Sequence, residues 1–230
     1  MPQIARIAEI DCFRGIALLL MILFHIVFDL AYFYNWSIDY LNGFWYYLGK
    51  ASAILFMLVS GISSTLSHNP IRRGLTVFGA GMLITVITYY YIPAMYIRFG
   101  ILHLLGFGML AAPWLTKLSA LLLILSGTTL LVMSNWTANL MATSSWLLPL
   151  GITPTGFASL DYYPLFPWLG VVLYGLAIGK LLYGHKRPCL FPSATTSLPA
   201  RILIWMGRQS LLIYLVHQPI ILALLLLLLQ

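Results

Sequence analysis

DCFRGIALLLMILFHIVFDLAY, residues 11–32, is apolar enough to enter a bilayer, yet it contains Asp11, Arg14, His25 and Asp29. An ionisable group inside a membrane segment costs several kcal/mol, order of magnitude, unless it has a partner or a task. At about 100° per residue, the step from Arg14 to His25 returns to within about 20° of the same direction, and His25 and Asp29 are one turn apart. All four polar side chains therefore fall on one narrow stripe. Ile16, Leu19, Leu20, Leu23 and Val27 occupy the remaining faces, which suit lipid or neighbouring helices.

The rest of the chain has the same character. Of 230 residues, 61% are hydrophobic and 7% charged, against roughly a quarter charged in soluble domains. The mean hydropathy is +0.95. The fold class expected is all-α, a polytopic membrane helix bundle forming a single domain over residues 1–230. Apolar runs predict about seven spans, near 11–32, 44–66, 72–92, 99–115, 118–134, 163–183 and 205–229. The fourth is short, and Pro113–Lys117 predicts a tight turn between it and the fifth. No cleavable signal is expected, because only nine residues precede the first long apolar run.

The net charge of +7 fits the positive-inside rule better than nucleic-acid binding. With a cytoplasmic N-terminus, ten of the twelve basic residues fall inside: Arg6, Arg14, Arg72, Arg73, Lys117, Lys180, Lys186, Arg187, Arg201 and Arg208. An odd number of spans then leaves the C-terminus outside. Cys12 and Cys189 both fall on the cytoplasmic side and are expected as free thiols. Gly74, Gly79, Gly81, Gly106, Gly108 and the Gly175/Gly179 pair suit close helix packing.

Three histidines lie within spans: His25, His103 and His217. A pocket from mid-membrane to the outer half that holds several imidazoles is suited to moving a proton at neutral pH. Each also has a structural reading. His25 with Asp29 could stitch the bundle, and His217, followed by Gln218 and Pro219, could bond backbone freed by the proline. His68 and His185 read as solvated loop residues. The two basic exceptions, Lys50 and Arg98, fit either snorkelling to outer headgroups or pairing with Asp39 and Asp161. A third reading has them bind a polar substrate. Asp161, in DYYPLFPW, is the acid best placed to orient an acceptor. At the inner end, Arg14, Arg72 and Arg73 could form a cationic mouth for phosphate, though topology alone accounts for them.

Five stretches together resemble a known family. These are IDCFRGIALLLMILFH (residues 10–25), FMLVSGIS (56–63), RFGILHLLG (98–106), DYYPLFPWLGVVLYGLAIG (161–179) and GRQSLLIYLVHQPI (207–220). In order and spacing they resemble the transmembrane acyltransferase superfamily, and more closely bacterial relatives of heparan-alpha-glucosaminide N-acetyltransferase. The resemblance implies transfer of an acyl group, most often acetyl, from cytoplasmic acyl-CoA to a hydroxyl or amine, commonly on a sugar, in the bacterial inner membrane. Under it His25 is the catalytic histidine, Arg14 supports it or the coenzyme, and Arg72 and Arg73 are candidates for the coenzyme phosphates. Arg98, His103, Asp161 and His217 are then read as contacts to the acceptor. In the lysosomal branch the active histidine is assigned to the loop after the first helix. Here Phe33–Gly43 has no histidine, which leaves His25. That branch's luminal domain and extra spans have no counterpart in this reading, so heparan itself is unsupported as the substrate.

The expected mechanism has His25, oriented by Asp29, act as general base in direct transfer without a metal. Two readings of other classes stand beside it. His25 and His217 could ligate a haem in an electron-transfer subunit. Alternatively, the polar stripe could line the path of a carrier for a glycolipid or small molecule, without covalent chemistry.

Overall fold

A computed structural model describes residues 7–137, 140–184 and 197–229. Arg6, His185, Lys186, Arg187 and Cys189 lie outside the described residues. The described chain is helical: α1 (Ala8–Tyr34), α2 (Gly43–Thr65), α3 (Pro70–Tyr91), α4 (Ile101–Leu115), α5 (Ala120–Thr137), α6 (Leu165–Tyr183), α7 (Leu198–Arg208) and α8 (Ser210–Leu228). A 3-10 turn, Ser145–Leu150, interrupts the loop before α6. Six of these helices (α1, α2, α3, α5, α6 and α8) are long and apolar enough to cross a membrane, and α4 is a shorter apolar helix. The protein is thus a multi-pass, all-helical membrane protein.

Two compact units divide the chain, and the division falls inside α2. The first unit comprises residues 1–56 and 187–230, the second residues 57–186. In the first unit α1 is the axis. Ser52 on α2 donates to the Ala17 carbonyl at 2.9 Å, and α7 lies along the opening turns of α1. The contact with α7 is backbone against backbone: a Cβ at Gly15 would meet the Leu203 carbonyl, and one at Gly207 would meet the Asp11 carbonyl. Small residues permit such an approach, as is usual between membrane helices.

In the second unit α3 packs on α4 and α5 on α6. Gly106 faces the Phe78 backbone, while Gly61 and Gly175 face each other, so that a Cβ at Gly175 would strike the Leu58 carbonyl. Gly79, grouped with these by sequence, has open space where its Cβ would be. Leu123, Leu173, Leu176 and Ala177 form a buried cluster between α5 and α6. Lys180 donates to the carbonyl of Thr116 at 2.8 Å and to that of Leu118, satisfying groups that the end of α4 leaves open.

Two boundaries differ from the sequence reading. α4 continues through Pro113 to Leu115, and the turn follows it, from Thr116. Pro113 has no N–H to give the Met109 carbonyl, and the helix runs only two residues beyond it. The last apolar run does not begin at residue 205. Ser197 caps a separate helix, accepting from the Ala200 N–H, and the helix ends at Gln209, whose N–H bonds back to Trp205 and Met206. Ala200, Ile204 and Gly207 are its buried face, whereas Leu198, Ile202 and Trp205 are exposed. This spacing by threes and fours marks an amphipathic helix lying beside α1.

Candidate functional site

The first unit brings His25 and His217 together. Their rings meet edge to face, with centroids 4.8 Å apart and planes at 84°. Each ring is fixed by its own helix: His25 Nδ1 lies 2.9 Å from the Met21 carbonyl, and His217 Nδ1 lies 2.6 Å from the Tyr214 carbonyl. A carbonyl only accepts, so Nδ1 carries the proton in both neutral rings and Nε2 carries a lone pair. His217 Nε2 is buried without a hydrogen-bond partner. Among the described residues, none bonds His25 Nε2 either. Phe24, at 5.7 Å from His25, and Tyr214, at 5.4 Å from His217, complete an aromatic surround.

Asp29 is completely buried. The expectation that it orients His25 is not what the hydrogen bonds show. Side chains on a helix lean toward its N-terminus, so the His25 ring folds back to Met21 and away from residue 29. Asp29 instead receives the Gln218 side-chain N–H at 2.7 Å, while its second oxygen has no partner among the described residues. This carboxylate therefore acts on α8, holding the residue next to His217.

Lower on the same stripe, Arg14 donates to Asp11 at 2.6 Å. Arg208 of α7 approaches the other Asp11 oxygen through Nε, at 3.6 Å. Arg14, read from sequence as a contact to the coenzyme, is thus bound to its own helix three residues back.

The second unit holds the remaining sequence-derived residues in a different kind of arrangement. His103 Nδ1 accepts the Gly100 N–H at 3.1 Å, and its Nε2 lies 3.3 Å from the Thr85 hydroxyl. Asp161 accepts the Ile101 N–H at 2.9 Å, so it caps the start of α4 from 60 residues away. Arg98 stacks its guanidinium on Tyr96 and Phe157, at 4.6 and 5.2 Å, and Lys50, in the first unit, lies 5.5 Å from the Tyr46 ring centroid. Arg72 and Arg73 are exposed in the first turn of α3, which Asn69 caps by accepting the Arg72 N–H. His68 is exposed in the loop before it. Next to Asp161, Tyr162 donates to the Leu148 carbonyl at 2.7 Å, and burial pushes its hydroxyl up to about 12.

The spacing of His25 and His217 also bears on the haem reading. Two rings in direct edge contact do not straddle a macrocycle as axial ligands do. Among the described residues, no group of three or more His, Cys, Asp and Glu is placed to hold a metal.

Sequence reasoning missed two participants. Gln218 carried no signal, because its partner lies far away in the chain. Met21 is engaged through its carbonyl, which residue identity does not reveal.

Among protein families, the model described as heparan-alpha-glucosaminide N-acetyltransferase, catalytic, matches residues 6–219. No curated protein and no solved structure matches the chain.

Proposed function

Because the chain belongs to the heparan-alpha-glucosaminide N-acetyltransferase catalytic family, a family of membrane acetyltransferase-type enzymes, we propose that His25 is its general base. The donor is cytoplasmic acyl-CoA, and the acceptor is a hydroxyl or amine on a sugar-like molecule in or across a bacterial inner membrane. The observation that carries this reading is the bond from His25 Nδ1 to the Met21 carbonyl. It leaves Nε2 as the basic nitrogen, next to a second imidazole in the same state.

In the proposed step the acceptor's O–H or N–H gives its proton to His25 Nε2 as its oxygen or nitrogen attacks the thioester carbonyl carbon. The tetrahedral adduct collapses, the C–S bond breaks, and the departing thiolate takes the proton from the imidazolium. Ester or amide and free coenzyme A result, with His25 neutral again. His217 receives the acceptor through its own Nε2, and Asp29 is a positioning residue acting through Gln218. Arg72 and Arg73 are proposed for donor phosphates and Arg98 for an acceptor contact, whereas His103 and Asp161, read from sequence as acceptor contacts, are proposed to hold α4 instead. These assignments are separable from the base.

The test supplies purified protein with acetyl-CoA and a panel of amino sugars and measures thiol release. Release that depends on the acceptor, and falls by about a hundredfold to ten-thousandfold in His25→Ala, supports the base. Unchanged release in that variant rejects it.

The neighbouring His217 ring favours a second route. His25 Nε2 attacks the thioester carbonyl carbon and the C–S bond breaks, releasing coenzyme A as its thiolate. His217 Nε2 then takes the acceptor's proton as the acceptor's oxygen or nitrogen attacks the acyl carbon, the bond to His25 breaks, and His217 returns to neutral by giving that proton to the thiolate or to water. Acid-quenched protein labelled by radioactive acetyl-CoA without acceptor distinguishes this route from direct transfer.

A further inference from the structure

α7 presents a cationic stripe that none of the preceding roles uses. Arg201 and Arg208 are seven residues apart, two helical turns, and so project from one side of α7. With Ala8, Ile204 and Trp205 they line an open cleft of about 410 Å³, a volume within the usual range for small-ligand sites. Arg208 reaches Asp11 through Nε alone, and no described residue bonds its two Nη groups. No described residue bonds the Arg201 guanidinium either, and its side chain is exposed. Trp205, at 60% exposed, offers a flat face between them.

The surrounding charge favours an anion. Arg14, Arg201 and Arg208 are set against Asp11 and the buried Glu9. The Asp11 carboxylate is already shared by two guanidinium groups. Two planar forks bordering one cleft match the geometry of phosphate oxygens, which accept paired N–H donors. The backbone contacts of Gly15 and Gly207 fix α7 against α1, so both arginines leave a helix that is held in place.

We infer that the α7 cleft binds a phosphate-bearing group between Arg201 and Arg208. The phosphate belongs either to a soluble nucleoside phosphate or to the headgroup of an anionic phospholipid. An aromatic face beside paired arginines suits an adenine ring stacked with its phosphates in the forks. The inference stands on this cleft alone and does not rest on the acetyl-transfer reading.

The test uses the full chain in phosphatidylcholine nanodiscs, titrated with adenosine 3′,5′-bisphosphate. A second arm measures retention of phosphatidylglycerol from mixed-lipid discs by native mass spectrometry. Arg201→Gln, Arg208→Gln and the charge-keeping Arg201→Lys are compared with the parent. Arg201→Gln removes a side chain without described contacts, so its fold is expected to survive, and size-exclusion elution checks this. At least one probe is expected to bind, weakened about tenfold or more by each Gln variant and less by Arg201→Lys. A loss confined to the nucleotide assigns the cleft to a soluble phosphate, and a loss confined to phosphatidylglycerol assigns it to a headgroup. If folded Gln variants bind both probes as the parent does, or if the parent binds neither, the inference is overturned. Because no turnover is read, that failure leaves the role of His25 untouched, and failure of His25 to act leaves the cleft untouched.

Discussion

The two units use the same residue in opposite ways. In the second, His103 accepts at Nδ1 from the N–H of Gly100, which caps its own helix, and has the Thr85 hydroxyl of α3 at Nε2, so both nitrogens are engaged in structure. In the first, His25 and His217 each commit Nδ1 to a carbonyl on their own helix and keep Nε2 uncommitted. All three lie in apolar helices, and position in a span does not separate them. What separates them is which nitrogen the backbone occupies, since that decides whether a basic lone pair is left for chemistry.

The contrast breaks most directly at His25. His25→Ala is expected to lower thiol release by about two to four orders of magnitude with little change in thermal unfolding. His217→Ala comes next: a loss of about ten- to a hundredfold in kcat/KM for the acceptor is expected, smaller than at His25 because the base itself survives. On the other side, His103→Ala and Asp161→Ala should reduce stability by about 1–2 kcal/mol each, through orphaned backbone N–H groups. Turnover per folded molecule is expected to hold. A fall in kcat/KM for the acceptor without a fall in stability would instead make these two residues substrate contacts and erase the distinction. The smallest effect concerns Tyr162. Its folded pKa, about 12, lies above the usual 10, so its contribution is complete below pH 10 and fades as pH rises toward 12. A chemical-denaturation series across that window should show a slope that Tyr162→Phe removes.

Much of this was legible in the sequence. The first helix could be read because four charged or titratable groups in an apolar run are conspicuous and helical spacing places them on one stripe. The site was legible as a set of residue types, since His25 and His217 stand out wherever they point. Their contacts were less so. Asp29 looked like the partner of His25 because i and i+4 share a face, but the lean of helical side chains sends the ring toward Met21 and leaves the carboxylate for Gln218. Asp161 read as an acceptor ligand because nothing local shows that it caps a helix 60 residues earlier. α7 was hidden by its neighbour: the apolar run of α8 absorbs Trp205 and Met206, and only the break at Gln209 separates a short amphipathic helix from one long enough to span.

The bond between Asp29 and Gln218 joins positions 189 apart. Synthesis runs from α1 to α8, so the buried Asp29 carboxyl lacks that amide until Gln218 has been made. The leading segment thus waits for the trailing one before its imidazole gains a companion. Acquisition of activity should therefore coincide with insertion of α8 rather than accumulate gradually during synthesis.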